Sequence, residues 1–439
     1  MEICTPIENE TGLLKNDNHI SCYINSILYI LLNLPILSDF LVDNSNIKNV
    51  LNNIIIKKKK ENIKKIKNII KENNININEQ NVEKLIDYIN NIDIDDNKLK
   101  EELQYDKADS NNMIIMDKII ELNISKDKYK ELAFNSLTYV INYTFRHLLE
   151  NRDDEINPGT FINLMKKIGE KNYLWKQYQQ QDSSEYLKDI IDCLNKENGV
   201  DVKFIGGNIE EFKNVKVKNV FKKIMFLNAK KEFFKKSNLY SYGYSLFHKM
   251  LYFSEINSIK CSKCYDNRIR YDFTNMIQLK FPEKKEKTKF TLNELLINYI
   301  SNEKLNCRCS CCLYQTSHTK SVKFFTLPKI LILGIGRFNN IGQICYKKTD
   351  MVDYPLELDM TKYLDNDSPY KDKNNKYVLV AVNLHIGSSL QSGHYVSIIK
   401  SRESNKWILY NDDNEPIICN DILQVINMNA FILFYYRVN

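Results

Sequence analysis

The stretch HISCYINS, residues 19–26, runs directly into an apolar-rich segment, ILYILLNL (27–34), and the reading of its lone cysteine decides the rest. A thiol at the opening of a helix is either one more buried hydrophobe or a nucleophile whose thiolate the helix dipole favours. The stretch alone does not choose. A nucleophilic cysteine needs a base to take its proton and a third group to orient that base. The remainder of the chain must therefore supply a histidine and its partner.

Six histidines are available, and His394 stands apart. A Gly/Ser loop, GSSLQSG (387–393), delivers it to the first position of the strand HYVSIIK (394–400). Asn411 follows in KWILYNDD (406–413). The segment between reads as a hairpin, with strands over 394–400 and 406–411 and a polar turn at RESN (402–405). A two-residue loop near Ser404 would set His394 directly across from Asn411. Opposed residues have Cβ atoms about 5 Å apart, close enough for an amide oxygen to accept from a ring N–H. Cys22, His394 and Asn411 would then be nucleophile, base and orienting group. Taken singly, His394 could be a strand-end histidine and Asn411 a turn residue.

A second constellation is metallic. Cys261-Ser-Lys-Cys264 and Cys309-Ser-Cys-Cys312 are two CxxC pairs. Such a knuckle aims two thiolates at one cation, and two knuckles complete a tetrahedral Cys4 zinc site. Cys307 and Cys311 crowd the second knuckle, so spacing alone leaves the choice within CRCSCC (307–312) open. A closed site of this kind is structural, and it would hold strands that lack a large core of their own.

The 439 residues suffice for two or three lobes with a substantial core. Net charge is 62 − 55 = +7, spread along the chain, so no nucleic-acid footprint is indicated. The one dense run, KKKK (57–60), reads as a solvated helix face. MEICTPIENE has neither a basic n-region nor an apolar h-region. The most apolar stretch, ILYILLNLPILSDFLV (27–42), is too short and too broken to span a bilayer. A cytoplasmic or nuclear protein is expected, whose eleven cysteines are thiols, metal ligands or a nucleophile.

Between Pro35 and Pro158 there is no proline, and between Gly12 and Gly159 no glycine. Ile47, Val50 and Ile54, then Ile63, Ile66 and Ile70, recur at helical spacing. Helices joined by Asn/Asp-rich loops such as NNIDIDDN (90–97) are expected, with part of 45–125 unfolded because Lys/Asn-rich sequence buries little. SSEYLKDIIDCLNK (183–196) carries Tyr186, Ile190 and Leu194 on one helical stripe, with Leu187 beside it. After about residue 200 the pattern turns to strands: IRYDFTNMIQLKF (269–281), KILILGIGRF (329–338), KYVLVAVNLHIG (376–387) and AFILFYYRV (430–438), besides the hairpin. Their close spacing predicts an antiparallel sheet and an α+β class overall.

Across the chain these residues resemble the ubiquitin-specific protease family of papain-like cysteine peptidases. GLLKNDNHISCYINSILYILLNLP (12–35) resembles its cysteine box, and QQDSSEYLKDIIDCL (180–194) its second box. LPKILILGIGRF (327–338) and YPLELDMTKYL (354–364) are similar to a family strand and the segment after it. VNLHIGSSLQSGHYVSI (382–398), WILYNDD (407–413) and AFILFYYR (430–437) resemble the histidine box, its end and the terminal strand. Only the 45–170 region lacks a match. Cys312 lies sixteen residues before Pro328, as the last zinc cysteine of the family does, which favours Cys309 and Cys312.

The resemblance implies a right-hand fold. Residues 1–200 would form a helical thumb with a Lys/Asn/Ile-rich insertion near 45–125. Residues 201–325 would form β fingers with one structural zinc ion, and 326–439 an antiparallel β palm. It implies a thiol protease that cuts isopeptide or peptide bonds after the terminal glycine of ubiquitin, with ubiquitin and ubiquitinated proteins as partners. Cys22 would attack, His394 act as base and then acid, and Asn411 orient His394. Gln181 and Asp182 would contact the substrate tail, and Gly393 and Tyr395 line its cleft.

The cysteine box departs from the family pattern. Two extra residues separate Gly12 from Cys22, and Asp17 stands at the usual place of the oxyanion-hole asparagine. A carboxylate there would repel the forming oxyanion. An insertion around Asn16 would leave Asn16 or Asn18 in that role, and Asn16 is the choice made here. Gly334 and Gly336 stand where the family tends to carry His and Lys. The alternatives are a non-catalytic ubiquitin-binding scaffold on the same fold, or a protease for a ubiquitin-like modifier.

Overall fold

The computed structural model describes residues 11–16, 21–72, 133, 135–152, 155–156, 181–199, 219–239, 244–282, 288–341, 344–389, 392–426 and 428–438. The chain divides into two compact units, one of residues 1–40 and 145–439 and one of residues 41–144. Among the described residues helices predominate up to Asn198 and strands from Phe253, a mixed helix-and-sheet fold. The helices are α1 (Cys22–Asn33), α2 (Leu37–Val42), α3 (Asn44–Glu72), α4 (Leu137–Glu150), α5 (Ser183–Asn198), α6 (Val220–Leu239), α7 (Leu246–Leu251), α8 (Leu292–Tyr299) and α9 (Ile422–Val425). Among the described residues no helix is long and apolar enough to cross a membrane.

In the unit of residues 41–144, α3 realises the expected helical repeat. Ile47, Val50, Leu51 and Ile55 are buried, and Ile47 and Leu51 cluster with Ala133. KKKK (57–60) lies inside this helix. The loop NNIDIDDN (90–97), like everything from 73 to 132, is outside the described residues.

In the larger unit, α1 is apolar on almost every side and is buried from Cys22 to Leu32. A helix with that pattern belongs in a core and not on a surface. Pro35 stops it: the preceding Leu34 turns extended, at φ −69° and ψ 122°. Tyr23 meets Tyr186 of α5 edge-on at 5.3 Å, and Tyr29 stacks on Tyr410 at 4.7 Å. The predicted stripe on α5 is buried throughout, with Tyr186, Leu187, Ile190 and Leu194 all at 0 % exposure.

Among the described residues, twelve strands form two main sheets. They are β1 (Phe253–Cys261), β2 (Asn267–Thr274), β3 (Met276–Leu279), β4 (Glu303–Arg308), β5 (Gln315–Phe324), β6 (Ile330–Ile335), β7 (Glu357–Asp359), β8 (Lys376–Ile386), β9 (His394–Lys400), β10 (Trp407–Asn411), β11 (Asn414–Ile418) and β12 (Ala430–Arg437). The small sheet has the order β2-β1-β5-β4 and is antiparallel throughout. The large one has the order β11-β10-β9-β8-β12-β6-β3, with β7 also paired to β8.

Two expectations need correction here. The run 269–281 was read as one alternating segment, but the chain bends at Asn275 and passes from one sheet to the other. Apolar residues recur on both sides of the bend, at Ile269, Tyr271 and Phe273 and at Ile277, Leu279 and Phe281, so periodicity could not mark it. The large sheet is also not wholly antiparallel, since β3 pairs with β6 in parallel. The connection between them, 280–329, carries β4 and β5 of the small sheet, and a parallel pair requires such a long crossover.

The core of the large sheet runs from Phe253 and Leu279 through Leu331, Val382 and Val396 to Leu433 and Tyr435. The small sheet has a far smaller one: Phe226 of α6 packs on Ile256, Tyr271 and Phe325. The two unusual glycines of β6 have a local reason. A Cβ on Gly334 would stand 2.4 Å from the Gln278 side chain of β3, and one on Gly336 would stand 3.1 Å from the Leu279 carbonyl. Gln278 occupies the room that a larger residue at 334 would need.

Candidate active site

Cys22 is the first residue of α1, as expected, with Ser21 as the N-cap. The Ser21 carbonyl accepts from the Ile24 and Asn25 amides. Asn16 fixes the approach: its Oδ1 accepts from the Ser21 amide at 2.9 Å and from the Ser21 hydroxyl at 2.7 Å. A buried polar chain then ties α1 to its neighbours. Asn383 of β8 donates to Ser26 at 2.9 Å and accepts from Ser183 of α5 at 2.8 Å.

His394 opens β9 and Asn411 ends β10, and the two meet: His394 Nε2 lies 2.5 Å from Asn411 Oδ1. An amide oxygen only accepts, so Nε2 carries the proton and Nδ1 is left as the basic nitrogen. The contact is the expected one, but its register is not. Ser397 pairs with Tyr410 and Lys400 with Trp407, so Asn411 lies diagonal to His394 and not across from it. The connection spans 401–406 and is longer than the two-residue loop assumed. A shift of two residues keeps every side chain on its face, and a diagonal pair is still within reach of long side chains.

Asp412 is the residue that sequence reasoning missed. It is buried, and its backbone is left-handed at φ 50°. Its carboxylate accepts from Asn16 Nδ2 at 2.7 Å and from Asn25 Nδ2 at 2.9 Å. The same carboxylate lies 3.8 Å from His394 Nε2. Its carbonyl accepts from the Tyr29 hydroxyl at 3.0 Å. Burial raises its proton affinity, against the two amide donors and the charge of His394. Asp412 thus staples α1, which carries the nucleophile, to the end of β10, whose Asn411 holds the base. The signal was on view: the first carboxylate of NDD (411–413), and an asparagine, Asn25, on a largely apolar helix.

The thiol itself departs from expectation. A helix N-terminus favours a thiolate, but Cys22 is fully buried, and burial pushes its thiol up to about 11. The Tyr395 backbone N–H donates to the sulfur and only partly offsets this. Among the described residues no hydrogen bond joins Cys22 to His394. Burial thus favours the neutral thiol, against the helix dipole. Alkylation of Cys22 by iodoacetamide, followed by mass spectrometry of its peptide, should rise about tenfold per pH unit from pH 7 to 9.5. A plateau below pH 7 would show a preformed thiolate and contradict this geometry.

The other named residues are placed as follows. Asp182 caps α5, accepting from the Ser184 amide at 2.7 Å, and Gln181 precedes it, half-buried. Gly393 is partly exposed at the end of the loop before His394. The Tyr395 ring is buried against His385, at 4.7 Å, and Phe431, at 6.0 Å. Asp17 and Asn18 lie outside the described residues.

In the small sheet, Cys261, Cys264, Cys309 and Cys312 present sulfurs all within 4.8 Å of one another, a group that could hold one metal ion. Cys264 and Cys309 are 3.7 Å apart, and Cys261 and Cys312 are 4.0 Å apart. Sulfurs about 2.3 Å from one tetrahedral zinc would be separated by about 3.8 Å, so the donor set fits. Both knuckles share one backbone form. Tyr265 and Leu313, each following the second cysteine of its pair, have φ 60°. The crowding in CRCSCC resolves itself: Cys311 is exposed, and Cys307 turns to His318, at 3.3 Å.

Comparison with known proteins agrees with this architecture. The family described as Ubiquitin carboxyl-terminal hydrolase matches residues 13–435, and the chain belongs to that family. Ubiquitin carboxyl-terminal hydrolase 4 of Arabidopsis thaliana is 27 % identical over 279 residues, covering 61 % of this chain and 69 % of its own. The Saccharomyces cerevisiae protein of that name is 24 % identical over 302 residues, covering 64 % of this chain but 31 % of its own. The chain thus spans about a third of the yeast relative. A solved structure of the yeast SAGA DUB module aligns over all of this chain and 71 % of its own, at TM-score 0.56 and 16 % identity. Another, of a SAGA DUB module bound to monoubiquitin, aligns over all of this chain and 72 % of its own, at TM-score 0.56 and 17 % identity. At that identity the likeness is one of fold.

Proposed function

We propose that this chain is a deubiquitinating thiol protease that hydrolyses the bond after the C-terminal glycine of ubiquitin. The observation that carries the reading is the hydrogen bond from His394 to Asn411 at the mouth of the helix that Cys22 opens. Family membership supplies the substrate class. In this reading the large sheet is the palm, the small sheet the fingers, and the first 200 residues with their insertion the thumb.

Substrate binding brings the carbonyl carbon to Cys22 and His394 Nδ1 to the thiol. Nδ1 takes the proton, the sulfur attacks, and the carbonyl oxygen becomes an oxyanion. Asn16 has one amide proton engaged by Asp412 and a second to offer that oxyanion. His394 returns its proton to the leaving amine, and water then hydrolyses the thioester by the same route. Asn411 holds the imidazole in the tautomer this cycle needs. Asp182, Gln181, Gly393 and Tyr395 are assigned to the substrate tail, with Tyr395 acting through its backbone. Zinc is assigned to the four-cysteine cluster as a structural ion, remote from the chemistry.

Mass spectrometry after incubation with a ubiquitin vinyl electrophile tests the reading. A single adduct on Cys22 is expected. Binding of ubiquitin without any adduct would favour the non-catalytic scaffold.

A further inference from the structure

The loop that delivers His394 is gripped at its neck by a hairpin that the proposed chemistry does not use. The hairpin pairs Phe338–Ile341 with Ile344–Lys347, and its base is the cross-strand pair Phe338 and Lys347. Both members reach residue 385. Lys347 Nζ donates to the His385 carbonyl at 2.6 Å and to the Gly387 carbonyl at 2.7 Å. The Phe338 ring meets the buried His385 ring edge-on, at 5.4 Å. The hairpin base is itself anchored by Arg337, fully buried, which donates to the carbonyls of Ala430, Lys348 and Asp350. From a third side, the His385 N–H donates to the Asn429 carbonyl at 2.9 Å.

The two ends of the loop touch. Gly387 is left-handed at φ 127°, and a Cβ there would stand 2.7 Å from Gly393 Cα. A Cβ on Gly393 would stand 2.4 Å from His385 Nε2. His394 is the next residue. Close-packed contacts transmit displacement, so a shift at 385 or 387 reaches His394 through Gly393 and one peptide bond. The pairing of β8 ends at Leu384 with β12 and at Ile386 with β9, which leaves carbonyls at the neck without a ladder partner. An ammonium, with three N–H groups, can satisfy two of them at once. Burial and the charge of Arg337 lower the Lys347 ammonium to about 8, so it remains largely charged at neutral pH.

We propose that Lys347 is a positioning residue for His394: by bridging the carbonyls of His385 and Gly387 it holds the neck of the loop at the width that keeps His394 on Asn411. The inference rests on the reading of His394 as the base. It touches neither substrate nor the reacting atoms.

The test compares Lys347→Met, which keeps the apolar stem and removes the donors, with Lys347→Arg, which restores them. Turnover of a ubiquitin C-terminal amide reporter is read together with amide hydrogen exchange over 385–395. Lys347→Met should lower kcat by about 10- to 100-fold, as misplacement of a catalytic group by about 1 Å does. KM should change by less than about twofold, exchange over 385–395 should quicken, and Lys347→Arg should recover most of both. Unchanged kcat, or a loss of kcat with unchanged exchange over the loop, would overturn the assignment. If the wild-type protein shows no turnover, the functional reading fails on its own. Exchange alone then decides whether Lys347 holds the neck.

Discussion

Replacement of Cys22 by alanine should abolish turnover of a ubiquitin amide reporter, by at least about 10⁴-fold, in a protein that stays folded. The size of the loss follows from the mechanism. Asn411 and Asp412 still hold His394, but the base has only water to activate, and nucleophile and base act as a unit. The stability cost should be small. Cys22 is fully buried, so the change removes one sulfur from a packed site, at about 1 kcal/mol. The hydrogen bond that the sulfur accepts from the Tyr395 N–H goes with it. A chain of this length should then show a shift of a few degrees at most in Tm. Thermal unfolding and reporter kinetics on the same preparation check both halves. Unchanged turnover would remove Cys22 from the nucleophile role. Loss of turnover together with loss of the folded state would make Cys22 a core residue, the plain alternative with which its sequence began.

What could be read beforehand followed from chemistry that needs particular residue types. A base must be a histidine near an acceptor, and the spacing of His394 and Asn411 on a hairpin supplied both. Two CxxC pairs announced their own convergence, because a knuckle of that length has few other shapes. The apolar stripe of α5 and the strand over 330–335 were visible because a core admits little else. The failures share a different cause. The hairpin register depended on how many residues the turn at 401–406 consumes, and polar turns do not advertise their length. The passage of 269–281 between two sheets hinges on Asn275, one polar residue between two runs of the same alternation. Asp412 was overlooked because its work is tertiary. It joins Asn16 and Asn25 to the end of β10, nearly 400 residues away, and only the fold brings the three together. The burial that raises the Cys22 thiol was missed for a related reason. A helix start is visible in sequence, whereas the depth at which it is buried is not, and here burial outweighs the dipole.

The second large effect should come from Cys264→Ser. Wild-type protein is expected to hold one zinc ion per chain after dialysis, and the variant well under one. The argument is one of missing core. The large sheet buries a continuous cluster that reaches Phe253 and Phe324 at one end of the small sheet, but the rest of the small sheet packs on Phe226, Ile256, Tyr271 and Phe325. Four residues of that kind contribute about 1.5–3 kcal/mol each before the entropy of ordering four strands is met. A structural zinc site can supply about 10 kcal/mol of apparent folding free energy in small domains, enough to decide whether such a sheet stays closed. Loss of one thiolate should therefore speed amide exchange over 253–274 and 303–324 while leaving 376–400 and 430–437 protected. Cys311→Ser is the control, since Cys311 is exposed outside the four-sulfur cluster and should alter neither zinc content nor exchange. Full zinc occupancy and unchanged exchange in Cys264→Ser would break the assignment. The sulfur spacing of 3.7–4.0 Å would then reflect two turns that merely face each other. If the expected pattern holds, a second consequence follows from topology. β3 continues from β2 through Asn275, and β6 follows β5, so the small sheet feeds directly into each of the two strands that form the parallel edge of the large one. Loosening it should first raise exchange at 276–279 within the large sheet, before any change reaches His394.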